Sequence, residues 1–418
     1  MTHSGPPHTH THTDASDTDT GTDLARPRRA PSTTPSRSPI DALWVALLVA
    51  VVLAAVGVVV SREHPTGQAS SPAATPPPAS ATAAPIPPPP VIASIPYWDL
   101  GPGAASVAAS PSRIDEISPW VYNIGPDGSV VTTIPPQDTA TANAATATLR
   151  AQDAPIMPSV SNYAGDDFSY DAVAPVLHDP ATMARNIASI TQLAVSQNDA
   201  GIALDYEELQ AGDRTAFTTF VQQLAASLHA AHKTLAVSLF AKTDDAGTDP
   251  RDAAQDYAAI GAAADQVWLM TYDYHWSTSP PGPVAPADWV HEVLAYATTQ
   301  IPPQKLSVGL DTAGYDWVGN QGQVISYTQA MQLASSHGAA VQVDPTSQSP
   351  WFRYTDSDGT QHEVWFENAA SAESKRAVAD SFDVHAVFLW MYGTPDPGLW
   401  TDLERQAQPP PTTPGGSG

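Results

Sequence analysis

Asp205, Glu207 and Glu208 stand within four positions of one another, around Tyr206, at the end of the run GIALDYEELQ (Gly201–Gln210). Ile202 and Leu204 alternate with Gly201 and Ala203 before the acids begin, as in a buried strand reaching its end. Residues two apart on a strand share a face, so Asp205 and Glu207 project together and Tyr206 points away. A carboxyl held beside a second carboxylate keeps its proton to higher pH. That is what a general acid working near neutrality needs.

Other residues of this kind recur where apolar runs end. Tyr97-Trp98-Asp99 follows VIASIP, Tyr272-Asp273-Tyr274-His275 follows VWLMT, and Trp390-Met391-Tyr392 follows AVFL. Taken singly, Trp390 reads as core and Asp273 as a loop cap. Together, acids and aromatics suit a sugar, whose ring faces stack on aromatic planes and whose hydroxyls need acceptors.

Positioning these ends requires a frame. Eight β-prone runs are spaced along the chain: 91–97, 114–122, 154–161, 201–207, 235–241, 266–273, 305–311 and 385–392. Amphipathic stretches at 180–197, 214–232 and 252–264 read as helices between them. Strands alternating with helices imply a parallel sheet. Eight units predict a (β/α)8 barrel of the TIM type, with its site at the strand C-terminal ends. A doubly wound open sheet is the competing architecture, but no G-x-G-x-x-G follows any strand. Between the seventh and eighth runs, residues 341–367 predict a small β-rich insertion with a turn at Ser357-Asp358-Gly359. Asp356 and Asp358 also suit calcium, but hairpin turns favour the same residues, so no metal is assigned.

The flanking sequence differs in kind. Residues 1–41 are rich in Thr, Ser, Pro and His and read as a disordered tail; His3, His8, His10 and His12 there make a low-complexity tract, not a metal site. Ala42–Val60 contains no charge, and at about 1.5 Å per residue it spans about 28 Å, a bilayer's hydrocarbon thickness. With Arg26, Arg28, Arg29 and Arg37 before it, the positive-inside bias places the N-terminus in the cytoplasm and residues beyond Ser61 outside, tethered to the cell membrane. A cleaved signal peptide is the second reading, although no A-x-A site follows closely. A Pro/Ala-rich linker covers 61–90, the barrel 91–405, and a disordered tail 406–418.

Cysteine is absent, which rules out disulfides and thiolate metal sites. Of 43 acids, 37 lie beyond residue 90, against 12 of the 17 Lys and Arg. Such a surface repels phosphate backbones, so nucleic acid is excluded as a partner and a neutral polymer fits. No cofactor is implied.

Over 91–400 the chain resembles glycoside hydrolase family 18, the chitinase family, and within it the bacterial branch of spore-germination and cortex-lytic glycosidases. Residues 200–207 align with its strand-four motif DGxDxDxE, and MTYDYH (Met270–His275) with its M-x-Y-D. LSVGLDTAGYDW and FLWMYGTPDPGLW resemble its last two strands. The resemblance implies Glu207 as proton donor, the substrate's N-acetyl carbonyl as nucleophile, and Asp205 and Tyr272 as the groups holding the acetamide. It implies Tyr97, Tyr206, Asp273 and Trp390 as substrate contacts, and an N-acetylglucosamine-containing polysaccharide, peptidoglycan or chitin-like, as substrate. The chain departs from the family at Ala200 and Ala203, where the motif has aspartates, and at Ser159-Val160-Ser161-Asn162, where it has S-x-G-G. An alanine at 203 offers Asp205 no hydrogen bond. The alternative is therefore a weak or inactive, carbohydrate-binding member of the same fold.

Overall fold

The computed structural model describes residues 90–109, 114–165, 167–391 and 395–399. Its frame is eight parallel strands: β1 (Val91–Pro96), β2 (Glu116–Ile124), β3 (Ser159–Ser161), β4 (Gly201–Asp205), β5 (Thr234–Phe240), β6 (Gln266–Met270), β7 (Leu306–Asp311) and β8 (Ala386–Trp390). Each pairs with its sequence neighbours, and β1 pairs with both β2 and β8, which closes the barrel. Strands such as VIASIP and LSVGLD are buried at every position, because both barrel lumen and helical jacket cover them. At the start of β4, a Cβ on Gly201 would meet the Thr234 carbonyl at 2.2 Å, so only glycine permits that approach.

The helices close on the outside through ordinary sequence devices. Asp179 caps helix Pro180–Ser196 by accepting from the Thr182 N–H at 2.9 Å, and proline opens that helix. Helix Arg214–Ala230 buries Phe217, Phe220, Val221, Leu224 and Leu228. The helix expected over 252–264 is two, Pro250–Ala254 and Tyr257–Ala263. Gln255 leaves helical geometry while its Oε1 accepts from the Phe240 N–H at 2.7 Å, and Asp256 caps the second piece.

Inside the barrel, Ile92, Met157, Ala203, Ala236, Trp268 and Phe388 form an apolar plug. Trp268 fills most of it and stacks on Phe388 at 4.8 Å between centroids.

The insertion is larger than residues 341–367. It starts at Ala313, immediately after β7, and comprises Ala313–Val318, Gln321–Ser326, helix Tyr327–Ser336, Gln342–Val343, Pro350–Thr355 and Gln361–Phe366. The five strands make one antiparallel sheet. One face packs Ile325, Phe352, Val364 and Phe366 under the helix, and the other packs Tyr315, Trp317 and Trp365 on Val284 beside Tyr272. The Ser357-Asp358-Gly359 segment is a turn: Gly359 has φ +85°, and Asp356 Oδ1 accepts from the Asp358 and Thr360 N–H groups.

No helix among the described residues is long and apolar enough to cross a membrane. The expected span Ala42–Val60, both tails, the linker up to residue 89, Tyr392 and the end of the expected barrel at 400–405 lie outside the described residues.

Candidate active site

β4 ends at Asp205 and delivers it to the barrel mouth with 7% of its surface exposed. Its Oδ2 accepts from the Trp120 indole N–H at 2.8 Å. Burial pushes its carboxyl up to about 6, against the lowering effect of Trp120 and of nearby Ser238. Oδ1 is buried and has no aligned hydrogen-bond partner among the described residues. The support that Ala203 cannot give therefore comes from β2. Ala203 itself belongs to the apolar plug, where Trp268 takes the space of a larger side chain.

Glu207 is equally buried, and its backbone is clamped by Asn162. The Asn162 side chain accepts from the Glu207 N–H and donates to its carbonyl, both at 2.8 Å. The residue that departs from S-x-G-G thus fixes the candidate acid. Burial, then the charge of Asp205, holds the Glu207 carboxyl well above the ordinary range. Arg251 opposes this, while Glu208 and Asp273 add to it.

Tyr272 follows β6, and its ring lies against Gly309 of β7; a Cβ there would come within 2.9 Å of the ring. Burial raises its hydroxyl well above the usual value, and the charges of Asp205, Asp311, Asp273 and Glu207 all push the same way. These five groups therefore share one neighbourhood. Asp273 takes a left-handed backbone, φ +55°, and its Oδ1 accepts from the Tyr315 hydroxyl at 2.8 Å. The inserted sheet thereby braces the mouth.

Trp390 ends β8 and meets Trp98 and Trp120 edge-on, with centroids 6.3 and 6.1 Å away. Tyr97 lies parallel to Trp120 at 6.2 Å. Tyr163 and Phe168 extend the group. This is an aromatic floor beside the carboxylates. Tyr206 is not part of it. Expected as a substrate contact, it is 1% exposed, stacks on Phe220 at 5.4 Å and donates its hydroxyl to Asn186. Strand alternation sends it into the helical jacket, so it is a core residue.

Three residues at the mouth escaped sequence reasoning. Trp120 and Asn162 are recognisable only once β2 and β3 are set beside β4. Asp311, at the end of β7, had a readable signal: it is an acid ending an apolar strand, like Asp205. Burial and then the charge of Asp273 hold its carboxyl well above the usual range, opposed by the Ala313 N–H that it accepts at 2.8 Å. Among the described residues no cluster suited to a metal ion is found. A buried carboxyl held above its ordinary range, a second carboxyl with one unpaired oxygen, a tyrosine hydroxyl and an aromatic floor can hold a sugar and protonate its linkage.

Comparison with known proteins agrees. Residues 121–394 match the model of glycosyl hydrolases family 18. The chain is 32% identical to YdhD of Bacillus subtilis (strain 168) over 291 residues, 68% of this chain and 67% of that one. It is 33% identical to the cortical fragment-lytic enzyme of Bacillus anthracis over 247 residues, 58% of this chain and only 57% of the relative's length. Among solved structures, a chitinase from Chromobacterium violaceum superposes with a TM-score of 0.70 at 28% identity, covering 76% of this chain and 98% of that one.

Proposed function

Since the chain belongs to glycosyl hydrolases family 18 and is a glycosidase, we propose that it cleaves β-1,4 bonds of an N-acetylglucosamine-containing cell-wall polysaccharide, peptidoglycan or chitin-like, with retention and assistance from the substrate. The observation that carries the reading is the convergence at one barrel mouth of Glu207, Asp205 and Tyr272 beside the Trp390 floor.

On this reading a sugar ring rests on Trp390 and its acetamide reaches the unpaired Oδ1 of Asp205 and the Tyr272 hydroxyl. Glu207, protonated by virtue of its burial and of Asp205, gives its proton to the glycosidic oxygen as that bond breaks. The acetamide oxygen closes on the anomeric carbon, and Asp205 stabilises the positive charge that develops on the ring so formed. Water then opens the intermediate, with Glu207 taking back a proton. Relatives named for spore cortical fragments and for chitin support a substrate of this class.

Turnover of N-acetylglucosamine oligomers and of purified peptidoglycan tests the proposal. Hydrolysis that is lost in Glu207→Gln, with oligomer binding kept, is the expected result. Binding without turnover in the wild type overturns it and leaves a carbohydrate-binding protein.

The chain is further proposed to act outside the cytoplasm, tethered by Ala42–Val60; the charge-free span and the arginines before it support this. Protease treatment of intact cells should then release the barrel by cutting the 61–90 linker. A barrel protected from protease sinks the tethered reading.

A further inference from the structure

The third acid of the opening run has no place in the mechanism above, yet its backbone is unusual. Glu208 adopts φ +53°, a left-handed conformation that a residue with a Cβ rarely takes. Strand alternation ends there, and the side chain is turned toward helix Pro250–Ala254. Its Oε1 lies 2.5 Å from Arg251 Nη1. The same guanidinium donates to Asp249, at 2.9 Å from Nε to Oδ1 and 3.2 Å from Nη2 to Oδ2, and lies over the Phe240 ring at 5.1 Å. The Arg251 side chain is only 20% exposed, so water screens its charge weakly.

We infer that the Glu208–Arg251 pair is a charge-balancing device for the acid: Glu208 is a positioning residue that keeps Arg251 from drawing the proton off Glu207. The inference rests on Glu207 as proton donor. Arg251 is a cation whose field acts directly on Glu207, and it acts to release the proton. The other groups facing Glu207 are Asp205 from β4, Tyr272 and Asp273 beyond β6, and Glu208 on its own loop, all of which favour the protonated carboxyl or are neutral. Arg251 itself faces Asp249, Asp252 and Glu208. With both Asp249 and Glu208 ionised, the guanidinium is more than compensated. Without Glu208 the cluster becomes one charge more positive, and without Arg251 it becomes one charge more negative. Losing Glu208 would leave the guanidinium balanced by Asp249 alone and would remove a negative charge that helps Glu207 keep its proton. The left-handed turn places a compensating carboxylate on it while keeping that carboxylate out of the sugar's way.

The two halves of the pair must then act in opposite directions, and a structural brace would not. In Glu208→Gln the alkaline limb of kcat/KM should move to lower pH by roughly half a unit or more, and in Arg251→Gln it should move to higher pH by a similar amount. Glu208→Asp, which keeps the charge and tolerates a left-handed backbone better, should restore the wild-type limb. Titration of the carboxyl carbon of Glu207 by NMR, assigned with Glu207→Gln, should show the same displacements without any turnover. Limbs and titrations that stay put in both folded variants, or that move the same way, overturn the inference. A wild type without turnover, or an unaffected Glu207→Gln, overturns the acid assignment instead. Should Arg251→Gln fail to fold, Glu208→Gln against the wild type still decides, since glutamine keeps the shape of the side chain and removes only its charge.

Discussion

The two ends of the barrel both bury a carboxyl and raise it, yet only one end can do chemistry. At the mouth, Asp205 is pushed up to about 6, and its charge in turn raises both Glu207 and Tyr272. At the base, Glu116 at the start of β2 is pushed up to about 7 by burial alone, against one opposing hydrogen bond. Gln266 donates that bond at 2.9 Å and takes the Trp268 indole N–H at 2.9 Å on its oxygen. Between the two ends lies the apolar plug. Burial raises a carboxyl anywhere, and Asp205 Oδ1 and Glu116 Oε1 alike lack a hydrogen-bond partner among the described residues; a second acid, a tyrosine hydroxyl and an aromatic floor beside it make a site of the mouth.

The largest expected break in this comparison is at the mouth. Glu207→Gln removes the proton while keeping the shape, and should lower kcat by roughly 10²- to 10⁴-fold, the usual worth of a positioned acid. Circular dichroism and the unfolding midpoint should change little, because Asn162 holds the backbone of residue 207 and not its carboxyl. Residual turnover within tenfold of wild type would mean that Glu207 is not the donor.

A change between the two ends comes next. The aligned motif has an aspartate where Ala203 stands, and the sequence alone suggests that Ala203→Asp or Ala203→Asn would raise the rate by supporting Asp205. The structure reverses that expectation. Ala203 is fully buried against Ile92, Met157, Trp268 and Phe388, and Trp120 already supplies the hydrogen bond. A carboxylate there would be desolvated and crowded, at a cost of about 3 kcal/mol in stability, with no gain in kcat. Urea unfolding beside a turnover assay checks both halves. A faster, undiminished Ala203→Asp protein would show that Trp120 is no substitute.

The barrel was legible because most of its strands are largely apolar runs, β3 (Ser159-Val160-Ser161) being the exception, followed by polar or aromatic residues; all eight runs appear, within a few residues. Tyr206 shows a different limit. Alternation had already put it on the far face from Asp205, and only proximity to the motif made it a sugar contact. The start of the insertion was hidden because LSVGLDTAGYDW is continuously β-prone. The corner at Thr312 depends on the Asp311 carboxylate accepting the Ala313 N–H, which composition does not reveal. Trp120 lies 85 positions from Asp205, so their hydrogen bond follows only from barrel register. The roles of Trp120 and Asn162 are tertiary facts, and they are what let this chain depart from the family pattern at 162 and 203.

The smallest effect is expected at the base, where it sharpens the comparison most. The Glu116 carboxyl rises from 4.5 to about 7 on folding, so between those values the folded chain binds more protons than the unfolded chain. Its contribution to stability is therefore fully present below about pH 4.5 and is lost as pH rises through 7. Glu116→Gln keeps an acceptor for Gln266 and removes the titration. Relative to that variant, the wild type should lose up to about 1.4 kcal/mol for each pH unit between 5 and 6, and the difference should level off above pH 7. Urea midpoints for both proteins from pH 5 to 8 measure it, and kcat should not follow, because no substrate reaches the far side of Trp268. A difference in stability that is flat with pH would mean that Glu116 is already ionised in the fold. A kcat that tracked it would mean that the plug transmits charge from base to mouth, and the two ends would then be one site.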